Sequence, residues 1–285
     1  MIVLAEEKYD FSTPTSTFRS VGLAIKNDDP KAFYKIVASG HGRELTYEQF
    51  LDAAWKGPKS KYPPYLIYSP TVQASKQPAS YFLQAEVASE RTGEEDTPSM
   101  SDTVLVLRWK QPGIYRKEEF YRCAGEQVWH WRAANMYTRD YPIYEPSTPS
   151  NAYLALNTAL QLGILSEVCN DYATSVRGGL SAKEWERVLN DRLSKFPRLQ
   201  QEMAWEELMM ASSEDELEVE MLPPEAGRDV VKANVWRMDR PLGVKTGGTR
   251  RSGETFVQEG KEWKWLPKPN CFWYPTKIET QQKAP

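Results

Sequence analysis

Ser12-Thr13-Pro14-Thr15-Ser16-Thr17-Phe18 and Ser147-Thr148-Pro149-Ser150-Asn151-Ala152-Tyr153 are two versions of one stretch, 135 positions apart (12 to 147). The Thr-Pro pair suits a helix start: a hydroxyl to cap, then a proline where a missing N–H costs nothing. The offset holds without a gap for the next forty or so residues. Under it Val21 meets Leu156, Ala24 meets Ala159, Ile25 meets Leu160, Leu45 meets Leu180, Thr46 meets Ser181 and Phe50 meets Trp185. Such a period is too long for a solenoid and matches a small domain. The chain therefore reads as two copies of one domain, residues 1–140 and 141–285.

Each copy opens with helical periodicity. In the first, Phe18, Val21, Leu23, Ala24 and Ile25 define an apolar face that ends near Asn27-Asp28-Asp29. Pro30 starts a second helix carrying Ala32, Phe33, Ile36 and Val37, which Gly40 and Gly42 break. Thr46 caps a third, with Phe50, Leu51, Ala54 and Trp55. In the second copy Pro149 opens a helix with Tyr153, Leu156 and Leu160, and another is expected over residues 166–173. Ser181-Ala182-Lys183-Glu184 is a capping box for a third. Residues 197–210 add an amphipathic helix that the first copy lacks.

The period then changes to that of strands. Residues 65–68, 80–89, 103–109, 118–121 and 127–132 are rich in β-branched and aromatic side chains, and turn residues separate them. The second copy has strand-like segments at 217–221, 230–236, 254–258 and 262–265. Strands so closely spaced pair most simply as antiparallel neighbours. Helices followed by a sheet make each copy α+β. Residues 102–109 align with 229–236, and Trp129-His130-Trp131 with Trp263-Lys264-Trp265.

Composition narrows the function classes. A net charge of −3 gives no global field for drawing in nucleic acid. Cys123, Cys169 and Cys271 are far apart and odd in number, without zinc-ligand spacing, so they read as free thiols. No metal and no cofactor is expected, and no apolar run approaches the ~18–20 residues of a membrane span. As written the chain reads as cytoplasmic. The alternative is an exported protein whose leader has been removed, because Val3-Leu4-Ala5 before Glu6-Glu7 resembles the tail of a cleaved signal.

Three helices followed by an antiparallel sheet whose last strand runs Glu259-Gly260-Lys261-Glu262-Trp263-Lys264-Trp265 resemble the nuclear transport factor 2-like superfamily, which includes ketosteroid isomerase-like and polyketide cyclase-like proteins. The opening helix pair, with its acidic turn at Asn27-Asp28-Asp29, is similar to that superfamily's start. The resemblance implies two tandem cone-shaped domains, each with three N-terminal helices packed on a curved antiparallel sheet. The second would carry an extra helix and an aromatic C-terminal tail. It further implies a pocket in each cone and a pair of domains that imitates the family's usual dimer. The family's catalytic aspartate and oxyanion-binding tyrosine have no residue-by-residue match here.

Candidate chemistry is sparse. His130 faces opposite to Trp129 and Trp131 by strand alternation, and it would be a general base if that face lined the cone. The plainer reading is a satisfied sheet histidine. Asp102 and Asp229 precede matching strands, as a proton-shuttling carboxylate or, more simply, as turn formers. Tyr34, Tyr81, Trp109, Tyr121 and Trp129, with Trp236 and Trp263 in the second copy, would line apolar pockets or fill cores. The glycine-rich stretch 243–253 fails the phosphate-loop spacing. The leading expectation is a non-catalytic binding or scaffold protein for a protein partner or a small apolar molecule. The alternative is an isomerase, cyclase or dehydratase using acid–base chemistry in one pocket.

Overall fold

The computed structural model of the chain describes residues 9–37, 46–51, 85–93, 100–109, 113–131, 141–195, 214–224, 230–239 and 248–268. The chain divides into two compact units, Met1–Tyr141 and Pro142–Pro285. The expected strand at 65–68, the extra helix at 197–210, Tyr81, Asp229 and the aromatic tail lie outside the described residues.

In the first unit α1 (Pro14–Lys26), α2 (Pro30–Val37) and the short α3 (Tyr47–Phe50) precede the sheet. Thr13 Oγ1 accepts the Ser16 amide at 3.0 Å, so the helix starts where the Thr-Pro pair places it. Asp29 restarts the chain, its Oδ1 accepting the amides of Lys31 and Ala32. The strands are β1 (Glu86–Gly93), β2 (Met100–Trp109), β3 (Ile114–Cys123), β4 (His130–Trp131) and β5 (Tyr141–Pro142). They pair in the antiparallel order β1-β2-β3-β4, with β5 also paired to β3. Phe18, Val21, Phe33, Ile36 and Phe50 from the helices bury against Leu105, Leu107, Phe120, Trp129 and Trp131 from one face of the sheet.

The second unit repeats this order with α4 (Pro149–Leu162), α5 (Leu165–Asp171) and α6 (Ala182–Ser194). A 3-10 turn at Glu214–Glu216 leads into β6 (Leu217–Met221), β7 (Lys232–Asp239), β8 (Thr249–Glu259) and β9 (Glu262–Leu266), paired antiparallel in that order. Ser181 and Glu184 form the expected reciprocal cap at the start of α6. Ser181→Ala is expected to cost about 1 kcal/mol, read as a lowered urea midpoint for the second unit. The chain is thus α+β: helices on one face of an antiparallel sheet, in each unit. Among the described residues no helix is long and apolar enough to cross a membrane.

The two units share individual bonds as well as an order of elements. The Trp129 amide donates to the Phe11 carbonyl at 2.9 Å, and the Trp263 amide to the Pro146 carbonyl at 2.8 Å. The Trp131 indole donates to Glu118 Oε2 at 3.0 Å, and the Trp265 indole to Glu254 Oε2 at 2.9 Å. Thr148 accepts the Asn151 amide as Thr13 accepts that of Ser16. The aromatic that bridges helix and strand differs between units. Phe33 of α2 lies between Phe50 and Trp131, whereas Tyr172, just after α5, lies between Trp185 and Trp265.

The strand ladders correct one alignment. Thr103 pairs with Phe120 and Phe120 with Trp131, while Ala233 pairs with Phe256 and Phe256 with Trp265. Thr103 therefore corresponds to Ala233, an offset of 130, not the 127 that sets residues 102–109 against 229–236. The three-residue difference is odd, so it exchanges the two faces of the sheet. Trp109 leans on the helix-side core, and Trp236 stands on the opposite face of its own sheet. They are not counterparts, although both end an aromatic strand motif.

Candidate functional site

The register gathers the two acid–base candidates into one row. Asp102 is paired with Tyr121, and Tyr121 with His130, across β2, β3 and β4. Asp102 does not precede its strand: β2 begins at Met100, so the turn-forming role expected for this residue is replaced by a place within the ladder. The row lies on the face away from the helices, because its neighbours Leu105, Phe120, Trp129 and Trp131 point into the core.

His130 is buried and its ring stacks on that of Tyr121, with centroids 5.3 Å apart. Its Nε2 is 2.9 Å from Glu126 Oε2, a residue set in the Ala124-Gly125 turn by the positive φ of Gly125. A carboxylate on Nε2 keeps the proton of the neutral ring there and makes Nδ1 the acceptor. Val106, Tyr115 and Tyr121 are buried on the same face as His130, so that ring sits in a water-poor layer. In the second unit the matching row is Lys232, Val257 and Lys264. The second row thus carries two lysines where the first has an aspartate and a histidine.

The aromatic residues expected to line pockets fall in several places. Tyr34 packs edge-on to Tyr47 at 5.4 Å and lies 5.2 Å from Phe50. Trp109 leans on that same core and Trp129 is buried in it, under the Arg122 guanidinium. Tyr121 stands across the sheet from them, in the polar row. Trp263 is buried in the second core. Trp236 belongs to another assembly altogether.

That assembly occupies the outer face of the second sheet. Between the pairs Trp236–Gly253 and Met238–Arg250 the ladder slips by one residue, the extra one lying in β8. Such a bulge re-aims the side chains beyond it. Arg250 is thereby turned onto the face of Trp236, its guanidinium 5.0 Å from the indole, and it bonds both Glu218 and Glu220. The Trp236 indole N–H donates to Glu220 Oε2 at 3.1 Å. Gly253 leaves room for the ring against the β8 backbone, an aromatic laid across a strand glycine.

Three buried polar groups escaped the reading of the sequence. Glu118 and Glu254 lie on the helix side of their sheets as acceptors for Trp131 and Trp265. The repeated Glu-x-Phe followed by Trp-x-Trp, at 118–120 with 129–131 and at 254–256 with 263–265, was the available signal. Burial raises Glu254, against the pull of the Trp265 N–H and of Lys268. The third is Asp171 at the end of α5, a half-buried residue with a desolvated carboxyl pushed up to about 7. Burial also pushes the Cys169 thiol up, so it suits core packing better than nucleophilic chemistry. Among the described residues no three His, Cys, Asp or Glu side chains are gathered as a metal would need.

Comparison with known proteins adds little. No protein-family profile matches the chain, and no curated protein does. Among solved structures a cystatin-like protein from Ruminococcus gnavus ATCC 29149 is matched over 93% of each chain, at 12% identity and a TM-score of 0.22.

Proposed function

We propose that the protein is a non-catalytic binding or scaffold protein, built of two nuclear transport factor 2-like domains and engaging a protein partner through the outer face of its second sheet. The observation that carries this reading is the filling of each unit from within. The space between helices and sheet is taken by Trp131, Phe33 and Phe50 in the first unit, and by Trp265, Tyr172 and Trp185 in the second. In both, the tryptophan is tied to a buried glutamate. A cone so occupied favours recognition on its outside, and Trp236 with Arg250 supplies the aromatic and guanidinium pair common at interface hot spots.

A second reading rests on the row of Asp102, Tyr121 and His130, which sets both acid–base candidates in one register line across three strands, with Tyr121 and His130 buried. Native mass spectrometry of the protein purified gently from its own host separates the two. A heavier complex that is lost in Trp236→Ala supports the scaffold. A reproducible small added mass, lost in His130→Ala but kept in Trp236→Ala, would sink it in favour of acid–base chemistry in the first unit.

A further inference from the structure

β6 is the first strand of the second sheet, and the described residues give it a neighbour on one side only, β7. The Leu222 amide donates to the Lys232 carbonyl at 2.9 Å, so the even-numbered amides of this strand point at β7. Backbone groups alternate in direction along a strand, and those of Val219 and Met221 therefore point outward from the sheet. An edge of this kind is a template for another strand.

The side chains at the same corner are apolar on one face. Val219 is 39% exposed, Met221 55% and Val231, just before β7, 42%; they are three of the four large apolar side chains exposed among the described residues. Alternation sets them on the helix side with Leu217, Ala233 and Val235, which are buried. Exposed apolar side chains gathered in this way mark an interaction site. The other face of the corner is acidic. Residues 214–221 hold five acids and no base, and Arg250 sets one guanidinium against both Glu218 and Glu220.

We propose that this edge takes an extended segment of a partner protein in which apolar residues alternate with lysine or arginine, added as a further strand beside β6. Its apolar side chains lie against Val219 and Met221, its cations against Glu218 and Glu220, and its backbone on the outward groups of Val219 and Met221. A second copy of the chain fits less well: pairing about a twofold axis keeps the faces matched and sets glutamate opposite glutamate. The proposal deepens the scaffold reading, on which it rests for the existence of a protein partner, but makes no use of the Trp236 ring.

A capped peptide of alternating valine and lysine, titrated into the full chain, tests this by amide hydrogen exchange. It should slow exchange at Val219 and Met221, and a valine–glutamate peptide should not. Val219→Pro removes an outward N–H and leaves the ladder to β7 intact, so binding should weaken about tenfold or more. No slowing at these amides, equal slowing by the glutamate peptide, or undiminished binding to Val219→Pro overturns the proposal. So does slowing that grows with protein concentration alone, which assigns the edge to a second copy. If Val219→Pro fails to fold, the lysine peptide methylated on alternate backbone nitrogens takes its place: loss of binding supports the added strand, and unchanged binding removes it. A native complex lost in Trp236→Ala but kept in Val219→Pro leaves the scaffold reading standing and removes this one.

Discussion

Trp265→Ala is expected to cost the second unit about 3–5 kcal/mol, the usual penalty for emptying the site of a large buried aromatic. The side chain is 1% exposed and its ring lies 5.0 Å from that of Tyr172. Its loss opens a cavity among α4, α5 and β8, and it also strips Glu254 of its indole donor. Trp265→Phe separates the two effects. Phenylalanine keeps most of the volume but leaves Glu254 Oε2 without its indole donor, with Lys268 still 3.5 Å from Oε1, at about 1–3 kcal/mol. Burial already raises Glu254, so losing the indole raises it further. For a carboxyl so raised, stability is highest in acid and falls as pH rises through the folded value. The Trp265→Phe deficit should therefore be largest at neutral pH and shrink on acidification. Urea midpoints at pH 7 and pH 5 check this, and a deficit independent of pH would show that the Trp265–Glu254 bond carries no weight. Trp131→Ala should act in the same way on the first unit, leaving the second unit's transition in place.

Gly253→Val is the second large effect, at about 1–3 kcal/mol of overpacking. Even the first carbon of a side chain at 253 would sit 2.7 Å from Trp236 Cδ2 and Cζ3. The indole must lift off β8, losing its bond to Glu220 and its place under Arg250. In a Trp236→Ala background the obstruction is gone, and valine, a better strand residue than glycine, should be neutral or stabilising. Equal costs in both backgrounds would mean that the glycine serves the β8 bulge and not the ring. Near-ultraviolet circular dichroism would report the indole's displacement directly.

The elements whose signals are local were legible in the sequence. Thr13-Pro14 and Ser181 through Glu184 each announce a cap, because the bonds involved span three residues and depend on nothing distant. Residues 217–221 alternate as a strand should, and β6 occupies that span. Non-local register was not legible. Alignment by the shared tryptophan matched Trp109 with Trp236, and only the ladders set Leu105 against Val235. The candidate row had the same history. Alternation alone sets His130 opposite to its flanking tryptophans, but its alignment with Tyr121 and Asp102 depends on pairing across three strands. Glu118 and Glu254 carry no local sign of burial, since a carboxylate is buried only with a partner, and theirs lie 13 and 11 residues away.

The bulge in β8 makes this strand a phase slip in an otherwise regular two-residue code. Up to Arg250 the even positions belong to the outer face, and from Gly253 onward the odd positions do. A single alternation rule applied across residues 249–259 must therefore misassign one end. A one-residue deletion inside the bulge would leave Arg250 two positions before Gly253, on the outer face it already occupies, and one alternation rule would then hold along the whole strand. The irregular residue thus works like a frame marker: its presence keeps the two halves of the strand readable, each in its own register.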